Sequence, residues 1–193
     1  MNITIIKYNA GNIRSVDFAL QRMGINAEIT DDPAKIRSAD KVIFPGVGEA
    51  ANTMKYLAEH GLDLLLKELK QPVLGICLGQ QLMCKWSEEG NTECVGIFDE
   101  MVLKFPSEEK VPHMGWNQLL KPKGDLFRGV DEGEYVYFVH SYYVPLGKDT
   151  AAECSYIRSF SASMQRDNFY ATQFHPEKSG LTGQKILKNF IAL

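Results

Sequence analysis

The sequence predicts an α/β fold: a doubly wound, mostly parallel central sheet with flanking helices and an added antiparallel β portion. Up to Trp86, short apolar strands alternate with amphipathic helices, which is the pattern of a parallel sheet covered on both faces. After Trp86, shorter strand-like segments with turn signals replace that alternation. The chain has 193 residues, of which 45% are hydrophobic, and this is enough to bury a substantial core.

The predicted strands of the first half are short apolar runs, and the helices between them carry apolar residues at three- and four-residue spacing. Gly24 is well placed to end the first helix, and Asp32-Pro33 to open the second. Strands are predicted at residues 2–7, 27–30, 41–44 and 73–76. Helices are predicted at residues 15–23, directly after Pro33, at 49–59, at 62–69 and directly after Cys77.

The second half is predicted to add antiparallel strands and hairpins to this core. Asp167-Asn168 is the expected turn of the last hairpin, and an apolar stripe from Leu181 to Ile191 predicts a terminal helix against the sheet. We see no repeat, linker or low-complexity tract, so residues 1–193 are expected to form a single domain. Strand-like segments are predicted at residues 95–105, 117–120, 134–139, 151–156, 161–165 and 169–174.

The composition argues against several classes of function. A formal net charge of −3 gives no electrostatic reason to expect nucleic acid or an anionic membrane as partner. No apolar run approaches the length of a membrane span, and residues 1–7 lack the apolar run of a signal peptide. The four cysteines show no CxxC pairing, so neither a zinc site nor a disulfide framework is indicated. We therefore expect a cytoplasmic protein with reduced cysteines and with no metal or other cofactor.

A candidate nucleophile lies where the fourth predicted strand meets the following helix. The segment Gly75-Ile-Cys-Leu-Gly79 has the form Gly-x-nucleophile-x-Gly of a nucleophile elbow, with Cys77 as the central residue. A sharp turn strains that residue and leaves no room for a Cβ on its neighbours. The sulfur would lie at the positive end of a helix, where backbone N–H groups also point at a developing oxyanion. The alternative is that Cys77 is a small buried hydrophobic residue.

A glycine-rich loop is predicted directly after the third strand. Pro45-Gly46-Val47-Gly48 would lie at the carboxyl edge of the parallel sheet, where ligands bind in such folds. Its spacing matches neither a phosphate-binding loop nor a dinucleotide fingerprint. The loop is placed to offer a backbone N–H as a second oxyanion donor. A tight turn that needs two glycines explains the same residues without any function.

A nucleophilic cysteine needs a base, and the chain has four histidines. His175 follows an apolar strand and precedes Pro176, so its ring and the carboxylate of Glu177 can point the same way. The alternative is a polar strand end followed by a helix start. His60 is expected to be exposed. The spacing of His113 and His140 does not exclude either of them as the base.

These motifs together resemble the class I, triad-type glutamine amidotransferases. The segment GICLGQQ at 75–81 and HPE at 175–177 carry the resemblance, and PGVG at 45–48 matches the family's oxyanion position. Segments 8–16, 112–117, 137–142 and 175–179 resemble, more narrowly, the glutaminase subunits of imidazole glycerol phosphate synthases. Gln80 departs from the pattern, since many relatives carry Met there, but it leaves the triad unaltered.

The resemblance implies a role for each matched residue. Cys77 would attack the side-chain amide of glutamine, His175 would move the protons, and Glu177 would orient His175. The implied oxyanion hole comprises Val47, Gly48 and Leu78. The implied contacts with glutamine are made by Gly46, Gln81, Ser141 and Tyr142.

The resemblance also implies a protein partner, a separate (β/α)8 cyclase subunit in a heterodimer. The cyclase would use the ammonia to make imidazole glycerol phosphate and aminoimidazole carboxamide ribotide in histidine biosynthesis. Asn12, Trp116, Tyr137 and Lys178 fall in motifs that the resemblance places at the subunit interface. Trp116 could instead be a core residue, and Lys178 a solvated residue at a helix start.

Three other functions stay open at this point. The chain could serve another acceptor, as in anthranilate synthase or in the amination of a surface sugar. It could be a cysteine hydrolase that acts on esters or peptides without a partner. It could also be a scaffold subunit without turnover, although such a protein should have lost Cys77, His175 or Glu177, and all three are present.

Overall fold

The computed structural model describes residues 1–8 and 12–193, so most of the turn predicted at 8–12 lies outside the described residues. The helices of the described part are α1 (Ile13–Gln21), α2 (Pro33–Ser38), α3 (Ala50–Glu59), α4 (Leu62–Glu68), α5 (Leu78–Met83) and α6 (Gly180–Ala192). Its strands are β1 (Ile3–Ile6), β2 (Glu28–Thr30), β3 (Lys41–Gly46), β4 (Val73–Cys77), β5 (Trp86–Ser87), β6 (Thr92–Glu93), β7 (Met101–Lys104), β8 (His113–Gln118), β9 (Tyr135–His140), β10 (Tyr142–Tyr143), β11 (Thr150–Tyr156), β12 (Arg158–Arg166) and β13 (Phe169–Thr172).

The main sheet has the order β2-β1-β3-β4-β13-β12-β11 in the described part of the chain. The five strands from β2 to β13 in that order are parallel to one another. β12 then pairs antiparallel with β13, and β11 pairs antiparallel with β12. β4 therefore lies at the centre, between β3 and β13. The carboxyl ends of these three strands meet at one edge of the sheet, and each leads into one of the three segments singled out in the sequence.

Helices cover both faces of this sheet, as a doubly wound fold requires. One core cluster joins the sheet to α1 and α6 through residues such as Leu20 and Phe190. A second joins the opposite face to α2, α3, α4 and α5 through residues such as Leu57 and Leu82. The predicted fold class is therefore confirmed.

The structure corrects three of the predicted strands. Residues 95–105 were predicted as one strand, but only Met101–Lys104 is extended, because the N–H groups of residues 95–98 bond to carbonyls at the end of α5. The third strand continues through Pro45 and Gly46, with Gly46 in register with Cys77, so only the last two residues of the predicted loop lie beyond the strand. β13 pairs in parallel with β4 and so belongs to the central sheet.

A separate antiparallel pair, β8 with β9, stands beside the carboxyl edge of the main sheet. Trp116 is in register with Tyr137, and His113 is in register with His140. Since cross-strand pairs share a face, one face carries the aromatic pair and the other carries the two histidines. Of the helices in residues 1–8 and 12–193, none combines the length and the apolar character needed to cross a membrane.

Candidate active site

Cys77 lies at the junction between β4 and α5, at the carboxyl end of the central strand. Its backbone has φ 56° and ψ −107°, a conformation that L-residues seldom adopt and that costs energy. The side chain is only 7% exposed, yet it lines a cavity at the sheet edge. The strained turn predicted from the elbow pattern is therefore present.

The two glycines around Cys77 are needed because of close packing. A Cβ on Gly79 would lie 2.1 Å from the carbonyl oxygen of Phe44, which is backbone and cannot rotate away. A Cβ on Gly75 would lie 2.7 Å from the sulfur of Met83. The crowding predicted from the sequence is therefore present. The atoms that an added Cβ would meet belong to β3 and α5.

His175 and Glu177 form a buried pair next to Cys77. The Nδ1 atom of His175 lies 2.8 Å from Oε1 of Glu177, and neither side chain has exposed surface. A single 3-10 turn, Pro176–Lys178, brings the two together directly after β13. With Nδ1 directed at Glu177, Nε2 is the nitrogen left for the thiol, and it has no other hydrogen-bond partner among the described residues.

The pKa values of this pair are shifted in opposite directions. Burial works to lower the pKa of His175, but the adjacent Cys77 sulfur and the Glu177 carboxylate outweigh it and raise that pKa to about 10. Burial works to raise the pKa of Glu177, but hydrogen bonds from His175 and Asn12 and the charge of His175 outweigh it and lower that pKa. The pair is therefore an imidazolium and a carboxylate at neutral pH.

Asn12 was predicted at the partner interface, and in the structure it lies buried within this chain. Its side chain is only 3% exposed and lies beneath the triad. Its Nδ2 atom donates to Oε1 of Glu177 at 2.5 Å. The start of α1 packs against the turn that carries Glu177, so the amide of Asn12 holds the Glu177 carboxylate.

A cavity of about 310 Å³ opens beside the Cys77 sulfur. Val47, Gly48, Leu78, Gln81, Ser141 and Tyr142, all predicted from the sequence, contribute to its wall. Sequence reasoning gave no role there to Glu89, Pro112 and Val139 and left His140 open, although each also lines it. Glu89 is the one carboxylate in this lining, and it lies in a polar stretch with no motif to single it out.

Not every predicted contact faces this cavity. Gly46 is buried in β3, where a Cβ would lie 2.7 Å from Cβ of Leu78, so its smallness lets β3 and α5 approach each other. Gly48 has a φ of 124°, a conformation that favours glycine. Leu78 opens α5, so its N–H is one of the first-turn donors that have no partner within the helix.

The sequence profile described as glutamine amidotransferase class-I matches residues 4–193. The chain belongs to the class I glutamine amidotransferase family. Its relatives in that family include imidazole glycerol phosphate synthase subunits HisH from Bacteroides fragilis strain YCH46, at 63% identity, and Bacteroides thetaiotaomicron, at 60%. The HisH subunit of Escherichia coli K12 is 45% identical. All three alignments cover 100% of both chains.

Solved structures support the amidotransferase fold. A putative GMP synthase protein from Thermoplasma acidophilum superimposes with a TM-score of 0.75 at 22% identity, covering 100% of this chain and 93% of the other. A structure described as glutamine amidotransferase gives a TM-score of 0.76 at 18% identity, covering 98% of this chain and 97% of the other. At such low identity these two likenesses concern the fold alone.

The remaining histidines of this amidotransferase lie outside the triad. His60 is exposed, as predicted. His113 and His140 are buried and bonded to each other, with Nδ1 of His113 3.0 Å from Nε2 of His140. Burial lowers their pKa values to about 4 and about 3, so both rings are neutral at pH 7.

The other three cysteines are free and buried. Burial raises the pKa of Cys94 and of Cys154 to about 12, and it raises the pKa of Cys84 as well. Cys84 follows the last residue of α5 and belongs to the core, in line with the sequence expectation. These three thiols are therefore protonated at neutral pH, and none of them lines the cavity beside Cys77.

The predicted interface residues other than Asn12 lie at the surface. Trp116 is 54% exposed, so the alternative that it is a core residue is wrong. Its ring meets Tyr137 edge to face at a centroid distance of 5.9 Å. Lys178 is exposed at the end of the 3-10 turn that carries Glu177, which fits both of its predicted interpretations.

We expect the Glu177→Gln variant to be less stable than the native chain at pH 7, by about 2 kcal/mol, because a charged hydrogen bond is lost. The folded-state pKa of Glu177 is lowered, so its contribution is present above the unfolded-state pKa of about 4.3 and is lost as pH falls further. Urea unfolding at pH 7 and at pH 3.5 measures the difference, which should narrow in acid. Glu132→Gln, at an exposed site, is the control. An equal difference at both pH values would contradict the prediction.

Proposed function

We propose that this chain is the glutaminase subunit of an imidazole glycerol phosphate synthase, which hydrolyses glutamine through Cys77, His175 and Glu177. The observation that supports it best is the buried His175–Glu177 pair beside a cysteine at a strained strand-to-helix turn. The full-length relatives at 60% and 63% identity bear the name of that synthase's HisH subunit.

In the proposed reaction the Cys77 thiolate attacks the side-chain amide carbon of glutamine and forms a C–S bond. The carbonyl electron pair moves to oxygen, and a tetrahedral intermediate results. The C–N bond then breaks, and the proton on Nε2 of His175 leaves with ammonia. His175 next takes a proton from water, which attacks the thioester, releases glutamate and restores Cys77. Glu177 holds the His175 ring in place throughout.

We assign the oxyanion to the backbone N–H groups of Leu78 and Val47, next to Gly48. The position of Leu78 at the start of α5, directly after Cys77, supports the first assignment, and the position of Val47 in the cavity wall supports the second. Gln81, Ser141 and Tyr142 would contact the amino-acid part of glutamine. Glu89 adds a carboxylate that can pair with the α-ammonium group.

We place the partner, a (β/α)8 cyclase subunit, on the outer face of the β8–β9 pair. This face carries exposed Trp116 and Met114, at 54% and 61%, with Tyr137 beside them. β9, the strand that carries Tyr137, also lies against the proposed catalytic centre, since the carbonyl oxygen of Val139 is 3.8 Å from the Cys77 sulfur. Ammonia is protonated in neutral water, so a partner docked next to the triad profits from receiving it directly.

An acceptor other than the cyclase substrate is the second candidate. The motifs at 112–117 and 175–179 argue against an anthranilate synthase, and the names of the full-length relatives favour the histidine pathway over sugar amination. Turnover of esters or peptides would instead indicate a cysteine hydrolase.

An assay of glutamate release tests the proposal, first with the purified chain alone and then with a cognate cyclase subunit and its acceptor ligand. We expect slow release from the chain alone and a steep rise with the cyclase, because the loop after β3 has to present its N–H to the oxyanion. Fast release that the cyclase leaves unchanged would remove the partner from the proposal. No glutamate under any condition would overturn the glutaminase assignment.

A further inference from the structure

Besides Gln81, the glutamine side chain of Gln173 lies against the proposed nucleophile, Cys77. Gln173 has no role in the assignments above. Gln173 follows β13 and is fully buried. Its Nε2 atom is 3.7 Å from the sulfur of Cys77, and its Oε1 atom is 2.9 Å from Nε2 of Gln81. One side chain thus touches both the proposed nucleophile and a proposed substrate contact.

The hydrogen-bond partners determine which way each amide points. The carbonyl oxygen of Tyr142 can only accept, and it lies 3.0 Å from the Gln81 amide, so Gln81 must present its Nε2 there. The same Nε2 group donates to Gln173, which must therefore present Oε1 to Gln81. That leaves the N–H of Gln173 directed at the Cys77 sulfur.

A buried histidine pair holds the other end of this arrangement. The Nδ1 atom of His140 is 2.8 Å from the Tyr142 carbonyl and has to donate, so its Nε2 is an acceptor. His113 donates to that acceptor from Nδ1, and its own Nε2 accepts from Asn117 at 3.2 Å. The carbonyl of Tyr142, which orients Gln81, thus accepts from both Gln81 and His140.

We propose that Gln173 is a positioning residue, which stabilises the Cys77 sulfur as an anion through its N–H and orients Gln81 through its carbonyl oxygen. An N–H donor favours a thiolate over a thiol because hydrogen bonds to charged acceptors are the stronger ones. The kinetic part of this inference rests on the proposed glutaminase reaction. The part that concerns the sulfur does not, because the reactivity of Cys77 can be measured without glutamine.

Alkylation of Cys77 by iodoacetamide, followed by mass spectrometry of the full chain, tests the sulfur contact between pH 6 and pH 10. Gln173→Met keeps the length of the side chain and removes the donor, and we expect alkylation at pH 7 to slow about fivefold. The difference should shrink towards pH 10, because high pH favours ionised thiols whether or not a donor is present. The other titratable groups around the sulfur, His175, Glu177, Tyr8, Glu89 and His140, are the same in each variant.

Gln173→Glu separates the two contacts, since a carboxylate still accepts from Gln81 but cannot donate to sulfur. We expect it to slow alkylation at least as much as Gln173→Met does. With glutamine as substrate, Gln173→Met should raise KM and lower kcat, whereas Gln173→Glu should lower kcat with KM near the native value. If the native chain hydrolyses no glutamine, the proposed function fails, while the alkylation result still decides the role of Gln173.

Gln80→Met is the matched control. Gln80 is also fully buried and next to the elbow, but its Nε2 atom donates to the carbonyl of Ser161 at 3.0 Å and not to the sulfur. We expect native alkylation rates from this variant. The inference is overturned if Gln173→Met alkylates at the native rate, or if it is slower by the same factor at every pH, which would indicate a packing effect.

Discussion

Cys77→Ala is expected to abolish glutamine-dependent activity, by roughly 10⁴-fold or more, because no other group can form the thioester. Glutamate release in the presence of the cyclase measures the loss. Alanine removes only the sulfur, and it occupies the same strained backbone conformation at a cost similar to that of cysteine. The fold and the docking face should therefore survive.

Two controls make this result specific. Added ammonium salt should still support synthesis by the complex of the cyclase with the Cys77→Ala subunit, since only the source of ammonia is lost. Cys94→Ala should hydrolyse glutamine at close to the native rate, because that thiol is buried away from the cavity. Glutamine-dependent synthesis that persists in the Cys77→Ala complex would contradict the triad and favour a scaffold role.

Gly79→Ala is expected to destabilise the chain by about 3 kcal/mol or more. The new Cβ would lie 2.1 Å from the carbonyl oxygen of Phe44, so β3 and α5 have to move apart. The urea midpoint of unfolding measures the change, and glutaminase activity should fall with it because the proposed oxyanion donors lie at the ends of the same two elements.

Gly24→Ala is the matched control for this clash. Gly24 has a φ of 77°, but a Cβ there meets nothing within 4 Å. The backbone conformation alone should cost about 1 kcal/mol. If both variants lost the same stability, the close approach of α5 to β3 would not be the reason for a glycine at position 79.

Local patterns were sufficient to predict the elbow and most of the fold. Strand and helix periods are properties of neighbouring residues, which is why β1, β4, α3 and α6 were predicted close to their observed bounds. Cys77 stood out because two glycines and a change of period surround it. His175 and Glu177 stood out because a proline between them restricts the chain.

Residues whose role depends on distant parts of the chain were missed or misplaced. The contact of Asn12 with Glu177 was missed, because it depends on the packing of α1 against a turn 165 positions away. Residues 95–98 read as a strand, but their N–H groups are satisfied by the end of α5.

The sequence by itself therefore determined the fold class, the proposed nucleophile and its proposed base, since each is written in a local pattern. Only the tertiary structure decided what surrounds them: the carboxylate of Glu89 in the cavity wall, the neutral pair of His113 and His140, and the amide of Gln173 at the sulfur. The physical reason is that burial and hydrogen bonding depend on partners brought together by folding, and a glutamine or a histidine carries no local sign of which partner it will meet.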